Sequence, residues 1–82
     1  MSEDKIEIMT QLMKKTHQCE QEQKIVIKHL VELQTSFASS GMDHFAEKMG
    51  EAFALDSKVE ENLKKLAHNL DLEVNRLKNE AA

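Results

Sequence analysis

A single helix-breaking segment near the middle of the chain limits the possible folds more than any other feature of the sequence. The segment is SSGMD (residues 39–43), and the rest of the chain contains no proline and one further glycine. Gly41 suits the left-handed residue that ends a helix, and Asp43, alone or with Ser40, suits the start of the next helix. Two arms of equal length joined by a short turn predict an antiparallel helical hairpin, all-α in class.

Apolar residues recur in both arms at alternating steps of three and four, the spacing of a face that packs against another helix. In the first arm the predicted face is Met9, Leu12, Thr16, Cys19, Gln23, Val26, Leu30, Leu33 and Phe37. In the second arm it is Met42, Phe45, Met49, Ala52, Asp56, Val59, Leu63, Leu66, Leu70, Glu73 and Leu77. Ala46, Phe53, Ala67 and Val74 widen the second face, and a wide face is typical of a helix that touches two neighbours. We therefore expect the hairpin to dimerise into a four-helix bundle.

One segment of the second arm supports a different fold. In DSKVEE (56–61), Ser57 and Glu60 have the spacing of a capping box, which would start a third helix. A three-helix bundle with a break near residues 56–57 is therefore the alternative. The heptad spacing from Ala52 to Val59 continues across this point, and a loop would usually reset it. The sequence therefore favours a continuous second arm.

Length and composition restrict the class of protein. The chain of 82 residues forms one domain, residues 1–82, and a monomer of this size has a small core. The chain has a formal charge of −4 and therefore lacks the overall basic character expected of a nucleic-acid binder. One cysteine excludes an intrachain disulfide, so we expect a reducing, cytoplasmic location. No apolar run is long enough for a membrane span, and residues 1–20 lack the apolar core of a signal peptide.

The four histidines share a spacing that resembles a metal-binding pattern. Each is followed three residues later by an acid: His17 by Glu20, His29 by Glu32, His44 by Glu47 and His68 by Asp71. Metal sites in helical bundles project inward and have the carboxylate before the histidine, whereas these histidines fall at outer positions and precede the acid. We expect solvated ion pairs here, with no metal and no cofactor.

The sequence also argues against catalysis. Cys19 has Lys15 one turn before it, but His17 points to another side of a helix and no base is close by. The sequence contains no phosphate-binding glycine loop, no CxxC and no HExxH. We expect that the chain is not an enzyme.

A polar segment lies in the middle of the first arm, KKTHQCEQEQK (14–24), where Cys19 is the one apolar residue. If the arm pairs antiparallel with its own copy, Gln23 lies near Thr16 of the copy and Cys19 lies near the two-fold axis. A buried, unpaired glutamine costs roughly 1–3 kcal/mol, so other registers would be disfavoured. Thr16, Cys19 and Gln23 are thus predicted to set the register of a dimer. The alternative is that the segment is plain solvated surface.

Several apolar residues lie outside the predicted faces. Ile25 and Val31, with Leu55 nearby on the second arm, are predicted to form a patch for a partner's amphipathic helix. The sequence thus favours a small acidic, non-enzymatic protein–protein interaction module: an adaptor, a regulator or a chaperone-like binder that acts as a helical homodimer on a protein partner of unknown identity. The alternatives are a small RNA-binding regulatory bundle and a structural subunit of a larger helical complex.

Overall fold

The computed structural model describes residues 2–81, and side chains from residue 4 to residue 80. Two helices, α1 (Ser2–Ser39) and α2 (Asp43–Ala81), account for nearly all of them, and no strand occurs in this range. The helices pack antiparallel as the predicted hairpin. The hairpin is a thin rod with extents of 61 × 14 × 13 Å.

The turn between the helices is built as the sequence predicts. Gly41 has a φ of 76°, in the left-handed region where a side chain is strained. The amide of Met42 donates to the carbonyl of Phe37 at 2.8 Å, and the amide of Gly41 donates to that of Ala38 at 3.1 Å, which together end α1 in a Schellman motif. The amide of Ala46 donates to the carbonyl of Met42 at 3.0 Å and so begins the hydrogen-bond ladder of α2.

The second helix is continuous, so the three-helix alternative is not the fold. Residues 56–61 lie inside α2. Ser57 and Glu60 are both half-buried on the side of α2 that faces α1, so their spacing reflects a position in the interface and not a helix start. With no glycine or proline in this segment, nothing ends the helix there.

The interface between the helices buries few apolar side chains. Among the described side chains, the buried apolar ones are Ala46, Ala67 and Val74. These small residues let the helices approach closely. Near the turn the rings of Phe37 and Phe45 are 5.6 Å apart between centroids, which closes that end of the hairpin.

Candidate interaction surface

The contact face of each helix shares one row of residues with the predicted face and differs from it in the other row. With heptad positions labelled a to g, the a row of α1 is Met13, Glu20, Ile27 and Gln34, and its d row is Thr16, Gln23, Leu30 and Phe37. In α2 the a row is Ala46, Phe53, Glu60, Ala67 and Val74, and the d row is Met49, Asp56, Leu63, Leu70 and Leu77. The d rows were predicted as contacts. In α2, Ala46, Phe53, Ala67 and Val74 of the a row were predicted to widen the face. The remaining residues of each predicted face take the g positions directly before the a row, so the contact face is rotated away from them.

This rotation leaves a row of apolar side chains exposed on each helix. We call these residues the apolar stripe: Leu12, Cys19, Val26 and Leu33 of α1, with Phe45, Val59 and Leu66 of α2. The six large side chains among them are between 40% and 54% exposed. In an antiparallel pair of helices the two g rows lie along the same side of the pair. The apolar stripe therefore runs lengthwise along one side of the hairpin.

The opposite side of the hairpin is polar. There His17 and Asp71 lie at e positions, directly after a d residue, and His17 Nε2 is 3.4 Å from Asp71 Oδ1. Lys24 and Lys64 lie at e positions as well. Since e faces e in an antiparallel pair, the contact from His17 to Asp71 also identifies the other side as the one where the g rows meet. The two long sides of the hairpin thus differ sharply in polarity.

The polar middle of α1 places polar side chains in the interface between the two helices. Glu20, at 7% exposed, is the one buried charged residue among those described. Its carboxylate lies 3.4 Å from Lys24 Nζ and 4.0 Å from His17 Nδ1, so it points toward the polar side. Gln23 has a buried Oε1 that accepts no hydrogen bond. Across the interface, Glu60 is also half-buried. The hairpin thus keeps polar groups inside and apolar groups outside along its central third.

The predicted register residues fall on two different surfaces. Thr16 donates its hydroxyl to the carbonyl of Leu12 at 2.8 Å, within its own helix. Thr16 and Gln23 both lie on the face of α1 that packs against α2 of the same chain. Cys19 is exposed and belongs to the apolar stripe. Of the three residues, Cys19 is the one that lies outside the interface between α1 and α2.

The predicted partner patch does not form one surface. Ile25, Val31 and Leu55 are all exposed, as expected. Ile25 lies on the outer face of α1, and Val31 follows a d residue and so lies on the polar side. Leu55 is one turn from Val59 and borders the apolar stripe. The structure therefore separates the three residues instead of bringing them together.

A charged cluster bounds the apolar stripe at the end of the hairpin away from the turn. Arg76 donates from Nε to Glu73 Oε2 at 3.1 Å and from a terminal nitrogen to Glu80 Oε1 at 2.6 Å. The hydrogen bond from Arg76 holds the pKa of Glu73 below its ordinary value, with a smaller contribution from Lys5, and raises that of Arg76. Glu73 and Lys5 occupy the g positions that follow Leu66 and precede Leu12, so the apolar run ends there.

The described residues present few other features that suggest chemistry. Within residues 2–81 there is no enclosed pocket and no group of three or more potential metal ligands. Neither helix, over that range, is apolar enough to cross a membrane.

No protein-family model matches the chain, and no curated protein or solved structure matches it either. The surface of the hairpin is therefore the basis for an inference about function.

Proposed function

We propose that this chain is a small acidic protein–protein interaction module without catalytic activity. It works as a homodimer, a four-helix bundle made of two hairpins, and binds a protein partner by helix packing. An adaptor, a regulator and a chaperone-like binder all fit this description. The single cysteine supports a reducing, cytoplasmic setting for it.

The surface of the hairpin is the observation that carries this proposal. The chain exposes 6112 Å², whereas a compact protein of 9.4 kDa exposes about 5,000 Å². The difference of about 1,100 Å² exceeds the roughly 800 Å² that each partner covers in an ordinary interface. Its radius of gyration is 18.3 Å, against about 12 Å for a compact domain of this length. A second protein surface would remove the excess.

The exposed apolar side chains exceed what one dimer interface covers. Twelve large apolar side chains are between 40% and 65% exposed. Some lie in the apolar stripe, and others, such as Ile25 and Leu72, lie on outer faces. Covering one side by self-association would leave the outer residues available to a partner helix.

Charge pairing supports a protein partner over a nucleic acid. Lys24, Lys48, Lys65 and Arg76 each form an ion pair with an acid on their own helix. Binding to nucleic acid draws its strength from several clustered cations that release counterions. These cations are instead matched by neighbouring acids along the rod.

Sedimentation equilibrium of the purified chain tests the proposal. We expect a dimer at micromolar concentration, with a melting temperature that rises with protein concentration. A monomer that melts cooperatively at a concentration-independent temperature would contradict it. Tight, steeply salt-dependent binding of structured RNA would favour the RNA-binding alternative. A chain without helix when isolated would favour a subunit of a larger complex.

A further inference from the structure

We infer that a second copy of the chain covers the apolar stripe, with the stripes of the two copies packed face to face. This inference rests on the proposed function, since it specifies which side of the hairpin forms the dimer. It assigns the dimer to the side opposite the contact between His17 and Asp71.

The repeat of the stripe matches a second copy of itself. Both rows recur every seven residues, with Ala52 completing the row of α2, which places successive side chains about 10 Å apart along each helix. Each stripe residue of α1 and its neighbour in α2 form one layer of the stripe. A second copy has the same seven-residue period, so once one layer of each copy is aligned, the other layers are aligned too. The layer of Val26 and Val59 lies at the middle of the run.

The area of the stripe is sufficient for a dimer. The partly exposed side chains of Leu12, Val26, Leu33, Phe45, Val59 and Leu66 leave on the order of 500 Å² of apolar surface on each copy. Two copies that cover it remove roughly 1,000 Å², the lower bound for a specific interface, before bordering residues are counted. Leu55, at 65% exposed, adds to this border.

The charges of the hairpin leave this side free for a copy. The g rows carry no charged residue from Leu12 to Leu33 or from Phe45 to Leu66. The buried carboxylate of Glu20 is drawn toward Lys24 and the polar side, so covering the stripe does not strand it. Packing two polar sides together would instead bury Lys24 and its copy in one interface, which costs free energy.

Two neighbouring residues provide the test. Val26 belongs to the stripe and Ile25 to the outer face; both are β-branched and exposed, at 40% and 55%. Val26→Asp is expected to weaken the dimer by about a hundredfold or more, because it places a carboxylate in the middle of the interface. Ile25→Asp is expected to change the dimer dissociation constant by less than about threefold, because a surface change has a small effect. Sedimentation velocity measures both, with circular dichroism to monitor helix content.

A second measurement needs no change to the stripe. Cys19 is the single cysteine of the chain, so the rate at which it is alkylated reports whether the apolar stripe is exposed to solvent or covered by a second copy. We expect the rate to fall about tenfold when the protein is concentrated from below to above its dissociation constant. In the control, Cys19→Ala with Gln21→Cys, the thiol is on the outer face and its rate stays constant.

The outcomes separate this inference from the proposed function. Two outcomes would overturn the inference while still supporting a dimer. In one, Cys19 of the wild-type dimer reacts as fast as in the diluted chain; in the other, V26D dimerises as tightly as I25D. A wild-type chain that stays monomeric overturns both. Protection of Cys19 together with selective loss of the V26D dimer supports both.

Discussion

Gln23 offers a direct test of how the interior of the hairpin is built. Its Oε1 is buried and accepts no hydrogen bond, and such an atom costs about 1–3 kcal/mol. Leucine at this position removes the unpaired oxygen, has a similar volume and adds apolar surface to the interface. We expect Gln23→Leu to raise the free energy of unfolding by about 1–2 kcal/mol. For a domain of this size, each kcal/mol raises the melting temperature by about 4–8 °C.

Urea unfolding followed by circular dichroism, at one fixed protein concentration, measures this change. Gln21→Leu is the matched control: the same substitution two residues away on an exposed position, where we expect a change within about 0.5 kcal/mol. Equal stabilities of the two variants would refute the reasoning, because Oε1 would then carry no cost in solution.

The same substitution bears on oligomeric specificity. A polar residue at a helix interface disfavours other pairings at some cost in stability. We therefore expect the more stable Gln23→Leu chain to form a mixture of oligomers in sedimentation velocity. A single discrete dimer would mean that Gln23 plays no part in this choice.

Two further predictions concern single sites. Gly50→Ala should raise the free energy of unfolding by about 0.5–1 kcal/mol, since a helix interior disfavours glycine and the new Cβ meets only the flexible amide end of Gln34 at 3.0 Å. Gly41→Ala should lower the free energy of unfolding by about 1 kcal/mol because of the positive φ. A loss of stability in Gly50→Ala or a gain in Gly41→Ala would contradict these expectations. Because the pKa of Glu73 is lowered in the folded state, its pairing with Arg76 stabilises the fold at pH above the ordinary value of 4.5, and this stabilisation is lost as the pH falls through the lower folded value. When the free energy of unfolding is measured against pH, Glu73→Gln should lack this acid-induced loss. Identical pH profiles of the wild type and the variant would exclude the contribution.

The hairpin and its turn were predictable from the sequence, but the rotation of the contact faces was not. Leu12 is followed by Met13 and Val26 by Ile27, so in each pair either residue satisfies the same heptad spacing. Spacing alone therefore fits two faces that differ by one residue. In the second arm the prediction came nearer, since Ala46, Phe53, Ala67 and Val74 were expected to widen the face, and three of these four residues are the buried apolar side chains among those described.

Surface patches were harder to predict than the fold. Ile25 and Val31 are six positions apart, which on a helix of 3.6 residues per turn places them about 120° from each other. Closeness in sequence thus suggested a common patch that the helix geometry divides. The polar segment of residues 14–24 shows a similar limit, since its contact from His17 to Asp71 joins residues that are 54 positions apart in sequence.

The position of the aromatic contact beside the turn has a consequence for the folding pathway. Phe37 and Phe45 are separated by eight positions along the chain and meet at 5.6 Å, whereas His17 and Asp71 are separated by 54. A short loop closes with a much smaller loss of chain entropy than a long one. Each contact formed near Gly41 shortens the loop that the next contact must close. The helices should therefore join in order from the turn outward, and substitutions at the turn should act mainly on the folding rate, while those near residues 5 and 76 should act mainly on unfolding.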